Sequence, residues 1–522
     1  MLLAAGASLQ ANGKSFSPIY DEANSGAWQG IDYDGDPWVF NVSRPYFVTA
    51  GLQNRHLSLW ASHGRYYCAD RDVWKWQRPN LFCTNEDLFT QTIVVPYLIP
   101  MLQNAGAIVF TPRERDWQRN EIVIDNDDAV KSVYYFEKEA SKRWKKCDSL
   151  GFANRYRLKD GENPFRMGTV RQAKATKRKK TSQVSYQPRF KEAGKYAVYV
   201  SYQSLPKSVS DARYIVYHKG EATEFSVNQR MGGGTWVYLG TFDFDKGCNE
   251  FNRVVCTNKA SRRGVVTTDA VRFGGGMGNI ERGGYTSGLP RCLEGARYYA
   301  QWAGAPYKVY GGRKGENDYA DDINTRSLMT NWLGGGSVYM PAKNGKHVPI
   351  ELSLALHSDA GYNKDGKTTF GALAICTTDY NDGILNSGIS RFTSKDFARA
   401  LRDNLVTDLT AQFGEFGKRY LWDRNYSETR LPEVPSAILE MLSHQNFPDM
   451  RIAQDPLGKF YIARSIYKTI LRFVNSNHGT RYVVQPLAPQ NFSVTQNQGV
   501  ALLSWTAQLD KTEPSARPTS YI

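Results

Sequence analysis

A chain of 522 residues is too long for one compact core and calls for two to four domains. Its 41% hydrophobic and 13% aromatic content excludes a disordered chain, and no apolar run approaches the length that spans a bilayer, which excludes stable membrane insertion. Lys and Arg number 66 against 51 Asp and Glu, a net charge of +15 that fits nucleic acid, an anionic envelope polymer or a solvated surface equally well. Part of the surplus lies in RQAKATKRKK (171–180). That run has no interleaved aromatics and no nucleic-acid-binding signature around it, so it reads as an exposed loop, with an anion-binding patch as the alternative, and nucleic acid is not an expected partner. The seven cysteines (Cys68, Cys83, Cys147, Cys248, Cys256, Cys292 and Cys376) contain no C-x-x-C pair, which argues against a thiolate zinc cluster. Cys68 with Cys83, and Cys248 with Cys256, are near enough in sequence to pair, and spacing leaves that open.

In chain order, residues 1–44 form a polar, Gly-, Asp- and Trp-rich segment. Its start, MLLAAGASLQA, has the small-residue character of a signal-peptide end and predicts an exported protein. From 56 the pattern sharpens: HLSLWASH alternates Leu57, Leu59 and Ala61 and ends on His63. Thr84 or Asn85 can then cap a helix that Gly106 closes, with Pro96 and Pro100 kinking or shortening it, and AIVF (107–110) is a short buried strand. Strand, helix and strand in that order predict an α/β unit with a parallel sheet over 45–120. Between 121 and 282 the period changes to that of strands (KYAVYVSYQ, TWVYLGTFDF) separated by turn signals (QRMGGG, DFDKG), which predicts an all-β sandwich. Helical periodicity returns at 290–304, the strand IELSLALH follows, and further helices are expected at 394–413 and 461–477. An α/β pattern on both sides of the β region is most economically one α/β domain, 45–120 plus 283–480, interrupted by an insertion. The last stretch, 487–522, resembles the opening strands of a fibronectin type III domain with Trp505 in the core position. About 100 residues make such a sandwich, so 36 either belong to an incomplete domain or pack on the rest of the chain.

Open parallel sheets carry their chemistry at the carboxyl ends of strands. Three strand-like runs end there on ionisable side chains: LSLWASH at His63, LSLALH at His357 and PSAILE at Glu440, while Glu86 opens the helix after the first strand. Two neutral imidazoles and a carboxylate make a catalytic zinc site when the fourth position is left to water, and a separate carboxylate is then needed to move protons. Spacing alone is weak support, because 294 residues separate His63 from His357. The expectation is that all of them meet at one end of one sheet. His444, four residues beyond Glu440, falls either in the same cleft or in a purely structural place, and His56, His218, His347 and His478 have no nameable partner.

These residues also resemble the zinc-dependent N-acetylmuramoyl-L-alanine amidases of bacterial cell walls. WASHGRYY matches that family's first His-Gly motif, Glu86 its metal-binding glutamate, and GAIVFTPRERD the following strand with its Thr-x-Arg turn. NTRSLMTNW (324–332) matches the Arg and Asn ahead of the third motif, LSLALHSDAG the Ser-x-His strand, and LPEVPSAILEMLSHQN (431–446) the segment carrying the catalytic glutamate. The resemblance covers 45–120 and 283–478. It implies a doubly wound, mostly parallel α/β fold with zinc (Zn2+) held by His63, Glu86 and His357, and Glu440 as the catalytic acid/base. It also implies peptidoglycan or a related envelope glycan as partner, in the periplasm or cell envelope. The chain departs from the family where WAS replaces a Pro-Gly type of lead-in, where Asp359 stands in place of a common asparagine, and in the two helix prolines. The segment TWVYLGTFDFDKGCNEFNRVVCTNKASRRGVVTTDAVRF resembles the golvesin C-terminal-like domain, a β-sandwich found in exported proteins, some of them labelled xanthan lyase. Two other functions are therefore weighed: a polysaccharide-active enzyme of that kind, marked by release of an unsaturated uronate without metal, and a non-catalytic envelope glycan-binding protein, which the complete set of His63, Glu86, His357 and Glu440 argues against.

Overall fold

A computed structural model describes residues 28, 30–127, 134–140 and 142–520. The leader-like start MLLAAGASLQA lies outside them. The fold is mixed α/β, rich in strands, with several separate sheets. No helix among the described residues is long and apolar enough to cross a membrane.

The sheet that carries the candidate site has six strands in the order Lys418–Asp423, Ala372–Cys376, Ser436–Ser443, Ile350–Asp359, His56–Ala61 and Ile108–Phe110. Four of its pairings are parallel; Ala372–Cys376 against Ser436–Ser443 is antiparallel. The centre of the sheet follows the parallel expectation and its far edge does not. One face packs Leu352, Leu354, Leu356 and Leu439 against Phe397, Leu401 and Leu405 of helix Phe392–Phe413 and Ile462, Ile466 and Ile470 of helix Pro456–His478. The spacing of four puts each set on one helical face, and full burial of each such side chain contributes about 1.5–3 kcal/mol. Toward the other face, helix Asp318–Gly334 is tied to the sheet by the 2.7 Å contact of Thr330 with Ser58.

The helix expected after the first strand is broken into pieces. Asn85 caps it by accepting from the Leu88 N–H at 2.9 Å, as expected. Helical turns at Glu86–Phe89 and Gln91–Ile93 lead into a wider π turn at Val94–Leu98 before Ile99–Asn104. A proline lacks the N–H that an α-helical interior needs, and the π turn and restart absorb Pro96 and Pro100. Gly106 closes the segment at φ +101°.

Two larger β sheets lie between the halves of the α/β sequence. A six-stranded sheet (Val39–Asn41, Glu221–Val227, Ala212–His218, Arg253–Thr257, Gln183–Tyr186, Tyr135–Lys138) and a four-stranded sheet (Val237–Phe244, Gly194–Val200, Val271–Phe273, Ile122–Ile124) share a core of Tyr186, Tyr214, Val216, Val254, Tyr196, Val198, Val237 and Phe273. A three-stranded sheet (Val265–Thr268, Gly168–Lys174, Lys145–Gly151) lies beside them. Among the described residues none of these strands pairs with the six strands of the site-bearing sheet. Ile122 pairs with Phe273, so the two ends of this region are neighbours.

Three sequence expectations change here. Val39–Asn41, placed in the N-terminal segment, is an edge strand of the β sheet, in register with Val227 to Phe225. The basic run 171–180 begins inside the strand Gly168–Lys174, where Arg171 pairs with Glu137 at 2.6 Å; Lys174 and the part from Lys177 on are exposed. Trp505 does not occupy a core. It lies 39% exposed in a hairpin, Gln490–Asn497 with Val500–Thr506, whose residues are exposed throughout. The chain beyond the hairpin does pack, through Asp510 on Arg464 at 2.7 Å and Glu513 on Arg472. All seven cysteines are unpaired.

Candidate metal centre

His63 and His357 come to the same end of the sheet because their strands are parallel neighbours, with Leu356 opposite Ala61. Ser62 locks the turn after the first strand: its N–H donates to the Leu356 carbonyl at 2.7 Å, and its hydroxyl lies 2.8 Å from Thr90 Oγ1. Gly64 follows for a steric reason. A Cβ there would lie 2.4 Å from the Glu294 backbone carbonyl, so the glycine of the His-Gly pair permits the close approach of the 292–294 loop. Arg113 fastens the same corner, donating to the carbonyls of Ala61, Glu294 (3.3 Å) and Cys292 (3.2 Å).

Buried His63, Glu86 and His357 each offer a donor atom, and those atoms all lie within 4.8 Å of one another. Glu86 Oε1 is 2.8 Å from His357 Nδ1, and its other oxygen is 3.7 Å from His63 Nδ1. His63 Nδ1 is buried without a hydrogen-bond partner. Burial, with the neighbouring His357 and arginines, holds His63 well below the usual imidazole range, hence neutral and able to donate a lone pair. His357 behaves oppositely. Burial pulls it down, but the carboxylates of Glu428 and Glu86 outweigh that and bring it to about 10.

Glu440 stands directly across from His357 on the adjoining strand. Its Oε2 is buried without a partner. Burial foremost, reinforced by the carboxylates of Glu86, Asp359 and Glu428 and opposed by His357, pushes it up to about 8. A carboxyl held near neutrality beside two imidazoles is suited to proton transfer.

Three neighbours were not singled out in the sequence. Glu428, on the short helix Ser427–Arg430, brings Oε2 to 3.1 Å from His357 Nε2, close but not aligned as a hydrogen bond. Its other oxygen accepts from Trp60 Nε1 at 2.6 Å and from Arg326 at 2.9 Å. Burial would raise Glu428, yet Arg326 and His357 hold it down at about 2, so it is an anion. Arg78 lies 3.1 Å from His63 Nε2 and 3.4 Å from Glu86 Oε2. Asp87, next to Glu86, is 3.2 Å from His63 Nδ1 and is pushed up to about 7, chiefly by burial. Sequence offers little to find Glu428: a single acid in a polar loop becomes significant only when Arg326 and His357 surround it.

Partners of metal-bound histidines commonly tune affinity 10–100-fold. For zinc held at this site, Glu428→Gln is expected to weaken binding by about 10–100-fold, measured by competition with a chromophoric chelator.

Among the remaining histidines, His444 is buried with Nδ1 2.8 Å from the Ser358 carbonyl, so it supports the strand end and does not join the donor set. His56 accepts from the Trp38 N–H at 3.1 Å, and burial drives it down to about 3. His218 lies 2.9 Å from Thr223 Oγ1, His347 3.1 Å from the Gly336 carbonyl, and His478 2.7 Å from Glu351. Asn331 braces Leu431 and Glu433 through backbone hydrogen bonds, and Asp359 pairs with Arg419 at 2.6 Å.

Residues 160–275 match the family described as Golvesin C-terminal domain. A xanthan lyase of Bacillus sp. (strain GL1) is 34% identical over 97 residues, which is 18% of this chain and 10% of that protein. Among solved structures, the xanthan lyase of Paenibacillus is similar over 29% of this chain and 13% of its own, at 21% identity and a TM-score of 0.23. The N-acetylmuramyl-L-alanine amidase of Mycobacterium smegmatis is similar over 33% of this chain and 79% of its own, at 20% identity and a TM-score of 0.21. The N-acetylmuramoyl-L-alanine amidase of Clostridium difficile 630 is similar over 24% and 59%, at 16% identity and a TM-score of 0.19. The chain thus spans about a tenth of the curated xanthan lyase.

Proposed function

We propose that the chain is a zinc-dependent hydrolase that cleaves the amide bond between N-acetylmuramic acid and L-alanine in peptidoglycan. One observation carries the reading. Donor atoms of His63, Glu86 and His357 converge within 4.8 Å, and the adjoining strand presents Glu440 with an unpartnered oxygen. In this reading the α/β unit of 45–120 and 283–480 is doubly wound and catalytic, and 121–282 is a β-sandwich inserted through neighbouring ends. The sequence motifs of the cell-wall amidases at the same residues support it, and an envelope substrate implies export.

The donor set is two imidazoles and one carboxylate, the three-ligand complement of a hydrolytic zinc centre: His63 is already neutral, and His357, which Glu428 and Glu86 hold protonated, would give up its proton on binding the metal. Bound there, zinc would polarise the scissile carbonyl and acidify water. Glu440 accepts the proton of the attacking water and returns it to the departing amine nitrogen. Glu428 and Arg326 keep His357 in place from behind, and the Arg113 clamp holds the His63 strand end.

The test is metal content alongside product. About one zinc per chain is expected, with new L-alanine amino groups released from peptidoglycan in proportion to zinc retained. Protein that carries no zinc and still cleaves, or that releases an unsaturated uronate from an acidic polysaccharide without metal, overturns the proposal.

A further inference from the structure

A cavity of about 360 Å3 runs where three strands meet: Ile108–Phe110 at the edge of the site-bearing sheet, Val237–Phe244 at the edge of the four-stranded sheet, and Val39–Asn41. None of His63, Glu86, His357 or Glu440 lines it. Arg115 does. It is 9% exposed, its guanidinium lies 4.3 Å above the Tyr238 ring, and one amino group donates to the Val109 carbonyl. Its Nη1 has no hydrogen-bond partner, and among the described residues no carboxylate pairs with it. The adjacent Glu114 is committed elsewhere, to Arg272 at 2.6 Å and to the Tyr199 hydroxyl at 2.5 Å. A buried cation without an anion is costly, and an anionic ligand would offset that cost.

The rest of the lining narrows the ligand. Phe40 and Tyr238 offer aromatic surface, and Asn41, Gln53 and Asn104 offer amide donors and acceptors. Aromatic faces suit the C–H side of a sugar ring, amides suit its hydroxyls, and a guanidinium suits a carboxylate. The volume lies within the ~300–1,000 Å3 range of small-ligand sites. We propose that this cavity binds a carboxylate-bearing sugar, separately from the candidate metal centre, with Arg115 as the anionic anchor.

The experiment is calorimetric or NMR titration of the full chain with glucuronic acid and N-acetylmuramic acid. Glucose, N-acetylglucosamine and inorganic phosphate serve as comparisons. At least one acidic sugar is expected to bind about tenfold or more tightly than its neutral counterpart, the effect of one charge-assisted contact. Arg115→Gln is expected to remove that preference. Should that variant fail to fold, Phe40→Ala, at a half-buried position, is expected to weaken both classes of sugar while keeping the acidic preference. Chelating zinc is expected to leave the affinity unchanged, which separates this site from the metal centre. Equal binding of acidic and neutral sugars overturns the proposal, as do no binding at all, phosphate binding as well as the acidic sugars, and loss of binding on chelation.

Discussion

Glu440→Gln is expected to keep its zinc and to lose roughly 10²–10⁴-fold in turnover on peptidoglycan, the usual range for a lost general acid/base. Glutamine keeps the shape and nearly the volume of the side chain but cannot accept a proton. The three donor residues that would hold the metal are elsewhere, on the first strand end, the broken helix and the Ile350–Asp359 strand. Glu440 reaches the same place from a different strand, directly across from His357. Burial brings its carboxyl to about 8, so little energy separates its protonated and ionised forms near neutral pH. Zinc content by atomic absorption and the initial rate of L-alanine amino-group release decide the matter together. Loss of zinc in the variant would make Glu440 a ligand and exchange its role with that of Glu86. Full activity would end the mechanism.

His357→Ala is expected to behave differently, losing zinc and activity together, because a site with three protein ligands has no spare donor. A second effect should appear even without metal. His357 lies between Glu86 at 2.8 Å and Glu428 at 3.1 Å. Removing it leaves those buried carboxylates facing each other and Glu440, with Arg326 shared between Glu428 and Asp322 and only the partly exposed Arg78 beside Glu86. Breaking a buried charge pair of this kind typically costs about 3–5 kcal/mol. In chelator, the urea midpoint should therefore fall with the slope of the transition unchanged. Zinc retained at wild-type level would show that His357 is not a ligand.

Much of this protein follows from local pattern. The alternation in HLSLWASH and IELSLALH marks two strands that lead to His63 and His357, and alternation is a property of neighbouring residues along one chain. Asn85 is legible as a helix cap because its amide needs only the N–H three residues on. The spacing of four in the two long helices marks their buried faces for the same reason. The candidate donors were legible as residues at element ends.

Their meeting was not written in any short window. It depends on His56–Ala61 and Ile350–Asp359 lying side by side in parallel register, a pairing that closes a loop of nearly three hundred residues with the β sheets folded inside it. The same holds for the antiparallel Ala372–Cys376 strand and for Val39–Asn41, since a strand's direction and partner are set by which sheet edge is open, and not by its own alternation. Glu428 and Arg78 are ordinary charges until folding brings them beside His357 and His63. Arg115 is one of four charged residues in RERD, and only packing decides that Glu114 is taken by Arg272 and that Arg115 is left against a cavity. Local sequence determines which residues can be ligands, caps and core. Burial and long-range pairing determine which charges find partners, because desolvation and Coulomb energies depend on distances that the chain sets only when it is closed on itself.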